Sequence, residues 1–179
     1  MLVKGNAALL LIDMQGKLAE SVHDSGLVLE NCKKLIQAAK LFKMPILYLE
    51  QYPKGLGATA PALRELLGEQ KAIEKISFSA CDNEEFQQKL SELGRNQLLV
   101  AGVETHVCVY QTVRDLLKQP YELYVASDAT SSRTEWNRGI GLERMREMGA
   151  VITSTEMALF EMMRSAEGNL FKPFVNIVK

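Results

Sequence analysis

Apolar residues recur along the chain in two rhythms. Short, nearly unbroken apolar runs occupy residues 8–12, 46–49, 97–102 and 122–126, and weaker ones lie at 71–75 and 151–153. Strands of a parallel sheet covered by helices on both faces read this way, because neither face is left for polar side chains. Between the runs the spacing becomes helical. Val28, Cys32, Leu35, Ala39 and Phe42 share one helical face, as do Phe86, Leu90 and Leu93, and later Val109, Val113 and Leu116. The punctuation agrees with this alternation. Asp82 followed by Glu85 reads as a capping-box-like helix start, and Gly68, Gly94 and Gly149 stand where helices should end. Pro45 closes a helical segment just before a strand. No repeat, low-complexity tract or Gly/Ser linker divides the chain, so residues 1–179 are read as a single domain. Six β–α alternations predict an α/β fold: a three-layer, doubly wound sheet of six parallel strands with helices on both faces. The expected strand order is the common one, 3-2-1-4-5-6.

Composition narrows the classes of partner. Hydrophobic residues make up 47% and charged residues 24%, ordinary values for a water-soluble fold. Lys and Arg number 21 against 22 acidic residues, a formal charge of -1. That balance offers no electrostatic footprint for a nucleic-acid backbone or an anionic membrane, so neither is an expected partner. The first apolar run stops at Asp13, far short of the ~20 residues a membrane span needs. Cys32, Cys81 and Cys108 are an odd set at wide spacing, which fits neither a disulfide framework nor a zinc ligand set. A reducing, cytoplasmic setting is expected.

Doubly wound sheets bind ligands beyond the carboxyl ends of the strands, where the strand order reverses. In the expected order that crevice lies between strands one and four. The residues leaving those strands are Asp13 and the segment Gly102-Val103-Glu104-Thr105-His106-Val107-Cys108. Familiar alternatives fail: there is no phosphate loop, and Asp13 is followed by Met14-Gln15 with no second carboxylate. His23 and His106 lack metal-ligand spacing, so no metal and no cofactor are expected. If Thr105 caps the helix after strand four, Cys108 falls in its first turn, where the helix dipole favours a thiolate. Asp13 on the facing strand could take the thiol proton, and the same helix start offers donors for an oxyanion. Cys32 is read as core and Cys81 as incidental. Lys75, ending the third strand, could hold the two negative charges together. It stands two strands from Asp13, roughly 10 Å by strand spacing. Spacing alone leaves it open between that role and a solvated edge lysine like Lys71.

Three segments carry a resemblance. Leu10-Leu11-Ile12-Asp13-Met14-Gln15, Lys75-Ile76-Ser77-Phe78-Ser79-Ala80 and Gly102-Val103-Glu104-Thr105-His106-Val107-Cys108-Val109 resemble, in order, the signature segments of isochorismatase-like cysteine hydrolases. That superfamily includes nicotinamidases, carbamoylsarcosine amidases and isochorismatase-domain-containing proteins, and the likeness runs from about residue 5 to about residue 160. It implies Cys108 as nucleophile, Asp13 as general base and Lys75 as the completing cation. It also implies a cis peptide at Val103–Glu104, with the Glu104 and Cys108 amides forming an oxyanion hole.

Two departures narrow the substrate. The zinc-binding Asp-x-His of nicotinamidases is replaced here by Glu50-Gln51-Tyr52-Pro53, so the chain looks closest to the isochorismatase-domain-containing branch. True isochorismatases lack the cysteine, so Cys108 argues against isochorismate as substrate. Gln15, Gln51 and Tyr52 are the candidate substrate-binding residues, with Glu50, Leu18 and Thr130 beside them. Trp136 reads as a pocket wall, or as core or subunit-interface packing. The apolar tail with Phe171, Phe174, Val175, Ile177 and Val178 should dock on its own core or on a neighbour. The resemblance implies a homo-oligomer. The expected activity is hydrolysis of a C–N amide bond in a small molecule through a thioester; the alternative is a non-catalytic binding or scaffolding protein that keeps the triad.

Overall fold

The computed structural model describes all 179 residues. The chain runs β1 (Ala7–Ile12), α1 (Gly16–Glu20), α2 (Ser25–Leu41), β2 (Ile46–Gln51), α3 (Pro53–Leu56), α4 (Pro61–Leu67) and β3 (Ile73–Lys75). A 3-10 turn (Ala80–Asp82) then leads into α5 (Glu84–Glu92), β4 (Gln97–Val103), a π-helical turn (Thr105–Val109) and α6 (Tyr110–Leu116). The remainder is β5 (Glu122–Ser131), α7 (Glu135–Glu147), β6 (Val151–Thr153), α8 (Thr155–Met163) and α9 (Phe171–Val178). All six strands are parallel, in the order β3-β2-β1-β4-β5-β6. The doubly wound sheet expected from the sequence is therefore the observed one.

Every residue of β1 and β4 is buried, which explains their unbroken apolar runs. Alternate side chains serve two cores. Leu9 and Leu11 of β1 pack with α2, α8 and α9 on one face, while Ala8, Leu10 and Ile12 pack with α5 and α6 on the other. A fully buried leucine contributes about 1.5–3 kcal/mol, so the two layers fix the register of β1 between β2 and β4. The apolar tail docks on its own core: Phe174 is fully buried and meets Phe160 edge-on at 5.0 Å between ring centroids. Lys34 Nζ ties that tail down through the Val178 carbonyl at 2.9 Å.

Local boundaries differ from the sequence reading. β3 begins at Ile73, and Lys71 is exposed outside it. β5 runs on to Ser131, carrying the polar Thr130 and Ser131 to the carboxyl edge of the sheet. The start of α5 is a correction. Asn83, not Asp82, is its cap, accepting from the Phe86 amide at 2.9 Å. Glu85 turns instead to Lys89 one turn along, at 2.7 Å. No helix is long and apolar enough to cross a membrane.

Candidate active site

The site forms where β1 and β4 end. Gly102 makes their close approach possible: its φ is 119°, and a Cβ there would stand 2.0 Å from the Ile12 carbonyl oxygen. Any larger residue would wedge the strand ends apart. The next residue after β1, Asp13, has φ 51°, a left-handed conformation that aspartate tolerates better than most side chains. Its amide still donates to the Leu49 carbonyl at 3.2 Å, and its carbonyl accepts from the Gln15 amide at 2.8 Å. Asp13 is thus turned out of the strand and held by backbone bonds on both sides. At the end of β4 the Val103–Glu104 peptide is cis.

Lys75, the last residue of β3, reaches Asp13 across the end of β2. The Lys75 Nζ lies 2.7 Å from Asp13 Oδ2, and both side chains are fully buried. Lys75 is paired with Gln51 in the β2–β3 ladder, so its side chain crosses the end of β2 over that residue. Gln51 Oε1 accepts from Nζ at 2.6 Å, and the Ser77 carbonyl accepts at 3.3 Å. An ammonium has three protons to donate, and here each has an acceptor. Gln51 in turn donates from Nε2 to the Ile76 carbonyl at 2.6 Å.

Gln15 is the support behind this arrangement. It is fully buried, accepts from the Gln51 amide at 2.6 Å, and donates to the Gln51 and Gly57 carbonyls at 3.0 and 2.6 Å. Its amide is fully committed to protein groups, so the structure puts it beneath the site rather than on the surface a substrate would meet. Tyr52 is different. It is 50% exposed, and its backbone amide donates to the Lys75 carbonyl at 2.8 Å. A cleft of about 530 Å³ opens beside it, lined by Tyr52, Lys54, Lys75, Ile76, Ser77 and Asp82. Neither Asp13 nor Cys108 lines that cleft, and Lys75 is the residue common to cleft and ion pair.

Cys108 sits in the π-helical turn after β4 and is buried. The expected cap is a correction: Thr105 does not cap the turn. Its hydroxyl pairs with the Thr130 hydroxyl at 3.0 Å, and Thr130 Oγ1 donates to the Gly102 carbonyl at 2.6 Å. The turn is closed instead by wide backbone bonds, Val109 N–H to the Glu104 carbonyl and Tyr110 N–H to the Thr105 carbonyl. Single π-helical turns of this kind are frequent at functional sites. The Glu104 amide itself donates no hydrogen bond within the chain. The Glu104 carboxylate accepts from Arg133 Nε at 2.9 Å and from the Arg133 amide at 3.1 Å. Arg133 lies 29 residues away, and nothing in the sequence pointed to it.

The electrostatics also correct the expectation of a resting thiolate. Burial, followed by the negative charge of Asp13, pushes the Cys108 thiol up to about 12; Lys75 pulls the other way but does not win. Burial raises the Asp13 carboxyl above the ordinary carboxylate range, against the lowering by the Lys75 charge. The Cys108 thiol also interacts with that carboxyl, and Asp13 Oδ1 is buried with no settled hydrogen-bond partner. At neutral pH the thiol therefore keeps its proton, beside a buried Asp13 oxygen whose proton affinity is raised by burial. This arrangement can deprotonate the thiol during attack rather than before it. No group of three or more His, Cys, Asp or Glu side chains is gathered in a way that could hold a metal ion.

With this geometry in place, the chain can be set beside known proteins. The profile of the isochorismatase domain matches residues 7–157. Isochorismatase family protein 1B of Dictyostelium discoideum is 38% identical over 182 residues, covering 99% of this chain and 88% of that protein. The structure of a MAR1 ribonuclease from Caenorhabditis elegans superposes with a TM-score of 0.92 at 32% identity, covering 99% and 91% of the two chains. The YcaC gene product of Escherichia coli, an octameric hydrolase of unknown specificity, superposes with a TM-score of 0.90 at 27% identity, covering 99% and 94%.

Proposed function

The chain belongs to the isochorismatase family, and on that premise we propose that it is a cysteine hydrolase cleaving a C–N amide bond of a small molecule. The observation that carries the reading is the fully buried Lys75–Asp13 ion pair at 2.7 Å, next to the buried thiol of Cys108. A buried pair of this kind is a weak source of stability, since desolvation of two charges offsets much of their attraction. Its retention beside a thiol is accounted for by chemistry.

In the proposed reaction, Asp13 Oδ1 accepts the Cys108 proton as sulfur attacks the amide carbonyl carbon. The carbonyl oxygen takes up negative charge and is met by the amides of Glu104 and Cys108. The C–N bond breaks, the leaving nitrogen takes the proton from Asp13, and a thioester remains on sulfur. Water enters, gives a proton to Asp13 and attacks the thioester. The acid leaves and Cys108 regains its proton. Lys75 keeps one carboxylate oxygen occupied and offsets the negative charge passing between sulfur and carboxylate. Gln15 and Gln51 act as positioning residues for Lys75, and Tyr52 at the cleft is a contact for substrate.

The substrate class rests on charge and size. The C. elegans relative is named a ribonuclease, but a formal charge of -1 and a fully buried ion pair favour a small molecule over a phosphate backbone here. No metal or cofactor enters the scheme. Three free cysteines support a reducing, cytoplasmic setting, and the octameric relative supports a homo-oligomer. The test is a screen of small amides, with single-stranded RNA as a further arm, against the wild type and Cys108→Ala. Release of amine and acid by the wild type alone supports the proposal. Binding without turnover favours the scaffolding alternative, and RNA cleavage that survives loss of the thiol overturns the scheme.

A further inference from the structure

The helix that backs the Cys108 turn has two unlike faces. Inward, α7 buries Gly141, Leu142 and Met145, and a Cβ at Gly141 would stand only 3.0 Å from the Thr105 carbonyl oxygen. Outward, Trp136 is 77% exposed and Ile140 is 43% exposed. Together with Glu135, Gly139, Glu143 and Arg146 they line an open groove. A tryptophan held mostly in water contributes little to its own fold. Gly139 is equally unexplained from within: a Cβ there would meet nothing within 4 Å. Glycine inside a helix costs about 1 kcal/mol relative to alanine, so room outside the chain is the better reason for it.

The charges give the occupant. Glu135 stands at the amino end of α7 and Arg146 near its carboxyl end, both exposed. Neither belongs to any ion pair of the chain, whereas the neighbouring Arg144 is paired with Glu147 at 3.0 Å. Acid and base are thus placed antisymmetrically about Ile140. We infer that this face of α7 docks antiparallel on the same face of a second copy of the chain. A two-fold contact brings the same patch to both sides, so its charges must be complementary to their own image. Here they are. Each Glu135 comes opposite the partner's Arg146, and each Trp136 lies along the stem of that arginine, where aromatic and cation attract. The two Ile140 side chains meet near the axis, and Gly139 leaves bare backbone for the partner's Ile140. Exposed tryptophan beside arginine is the composition of an interface hot spot. The contact also clamps the helix that packs on Thr105, three residues before Cys108.

The experiment uses the full chain, with mass followed by sedimentation over a range of concentrations. Glu135→Arg and Arg146→Glu each place like charges at both symmetric contacts and should weaken this association by about 30-fold or more, the scale of a hot-spot loss. Trp136→Ala should do the same. All three side chains are exposed, so melting of the separated subunits should be unchanged. Mixing the two charge variants in equal amounts restores opposite charges at both contacts and should recover the wild-type mass. A wild type that is monomeric throughout, charge variants that keep the wild-type mass, or a mixture no larger than its components would each overturn the inference.

Discussion

Replacing Lys75 by methionine leaves an unbranched side chain one atom shorter and removes the charge together with its hydrogen bonds to Asp13, Gln51 and the Ser77 carbonyl. Asp13 is then left fully buried with no counter-ion, because its one charged partner was Nζ at 2.7 Å. Removing one member of a buried pair costs about 3–5 kcal/mol. Alternatively, the carboxyl escapes by holding its proton. Asp13 is already raised by burial with Lys75 present, and without it nothing opposes that rise. An unfolded aspartate ionises near 3.9, so a folded carboxyl that holds its proton more tightly loses stability as pH rises above that value. The sign follows. A carboxyl raised in the folded state binds its proton more tightly there than in the unfolded chain. Its stabilisation is complete below the unfolded value near 4 and is lost as pH rises towards the folded value. Lys75→Met should therefore approach wild-type stability near pH 4 and fall behind it by about 3–4 kcal/mol at pH 7. For a chain of this length that is a drop of roughly 6–16 °C in Tm. Urea unfolding from pH 4 to pH 8 measures it. Adding Asp13→Asn should recover most of the deficit at pH 7, because no buried charge is then left unpaired. Turnover should not return, since the amide is no base. Equal stability of Lys75→Met and wild type at pH 7, or a double variant weaker than Lys75→Met alone, would refute the reasoning.

Other perturbations test separate parts of the structure. Because the Cys108 thiol is pushed up to about 12, iodoacetamide should label it slowly at pH 7, whereas an activated amide or ester that binds the site should acylate it quickly. Asp13→Asn should abolish that acylation in mass spectra while leaving far-UV circular dichroism intact. Gly102→Ala drives a methyl group to 2.0 Å from the Ile12 carbonyl oxygen at a φ of 119°, so it should cost about 3 kcal/mol or more in urea unfolding, with turnover lost as Asp13 shifts from Cys108. Burial holds Cys32 far above the ordinary thiol range and Cys108 at about 12, so both stay protonated when folded and ionise near 8.5 when unfolded. Their contribution is complete below that value and lost above it. Stability should then decline from about pH 9 by up to about 1.4 kcal/mol per pH unit for each thiol, and Cys32→Ala should make the decline shallower in alkaline urea titrations.

The layers and the neighbourhood of the site were legible in the order of residues alone. Unbroken apolar runs in β1 and β4 have one economical burial, between two helical layers, and the β–α alternation then dictates a parallel sheet whose carboxyl edge carries Asp13 and the turn bearing Cys108. Motif likeness added Lys75, which spacing had left open between edge and site. What the sequence could not give were contacts that depend on where strands end in space. Lys75 meets Asp13 because Gln51 carries its amine over the end of β2, a bond between residues 24 apart in the chain. Gln15 has the composition of a pocket residue, yet three bonds to Gln51 and Gly57 turn it into a support. Thr105 has the preferences of a cap, but the nearer hydroxyl of Thr130 takes its side chain, and the helix opens in a π turn. The proton on Cys108 was decided the same way. A helix start favours a thiolate when it faces water. Here the fold buries the sulfur against a carboxylate, and desolvation with like charge outweighs the pull of Lys75. Local propensity is read from neighbours in the chain, whereas burial and charge are set by neighbours in space.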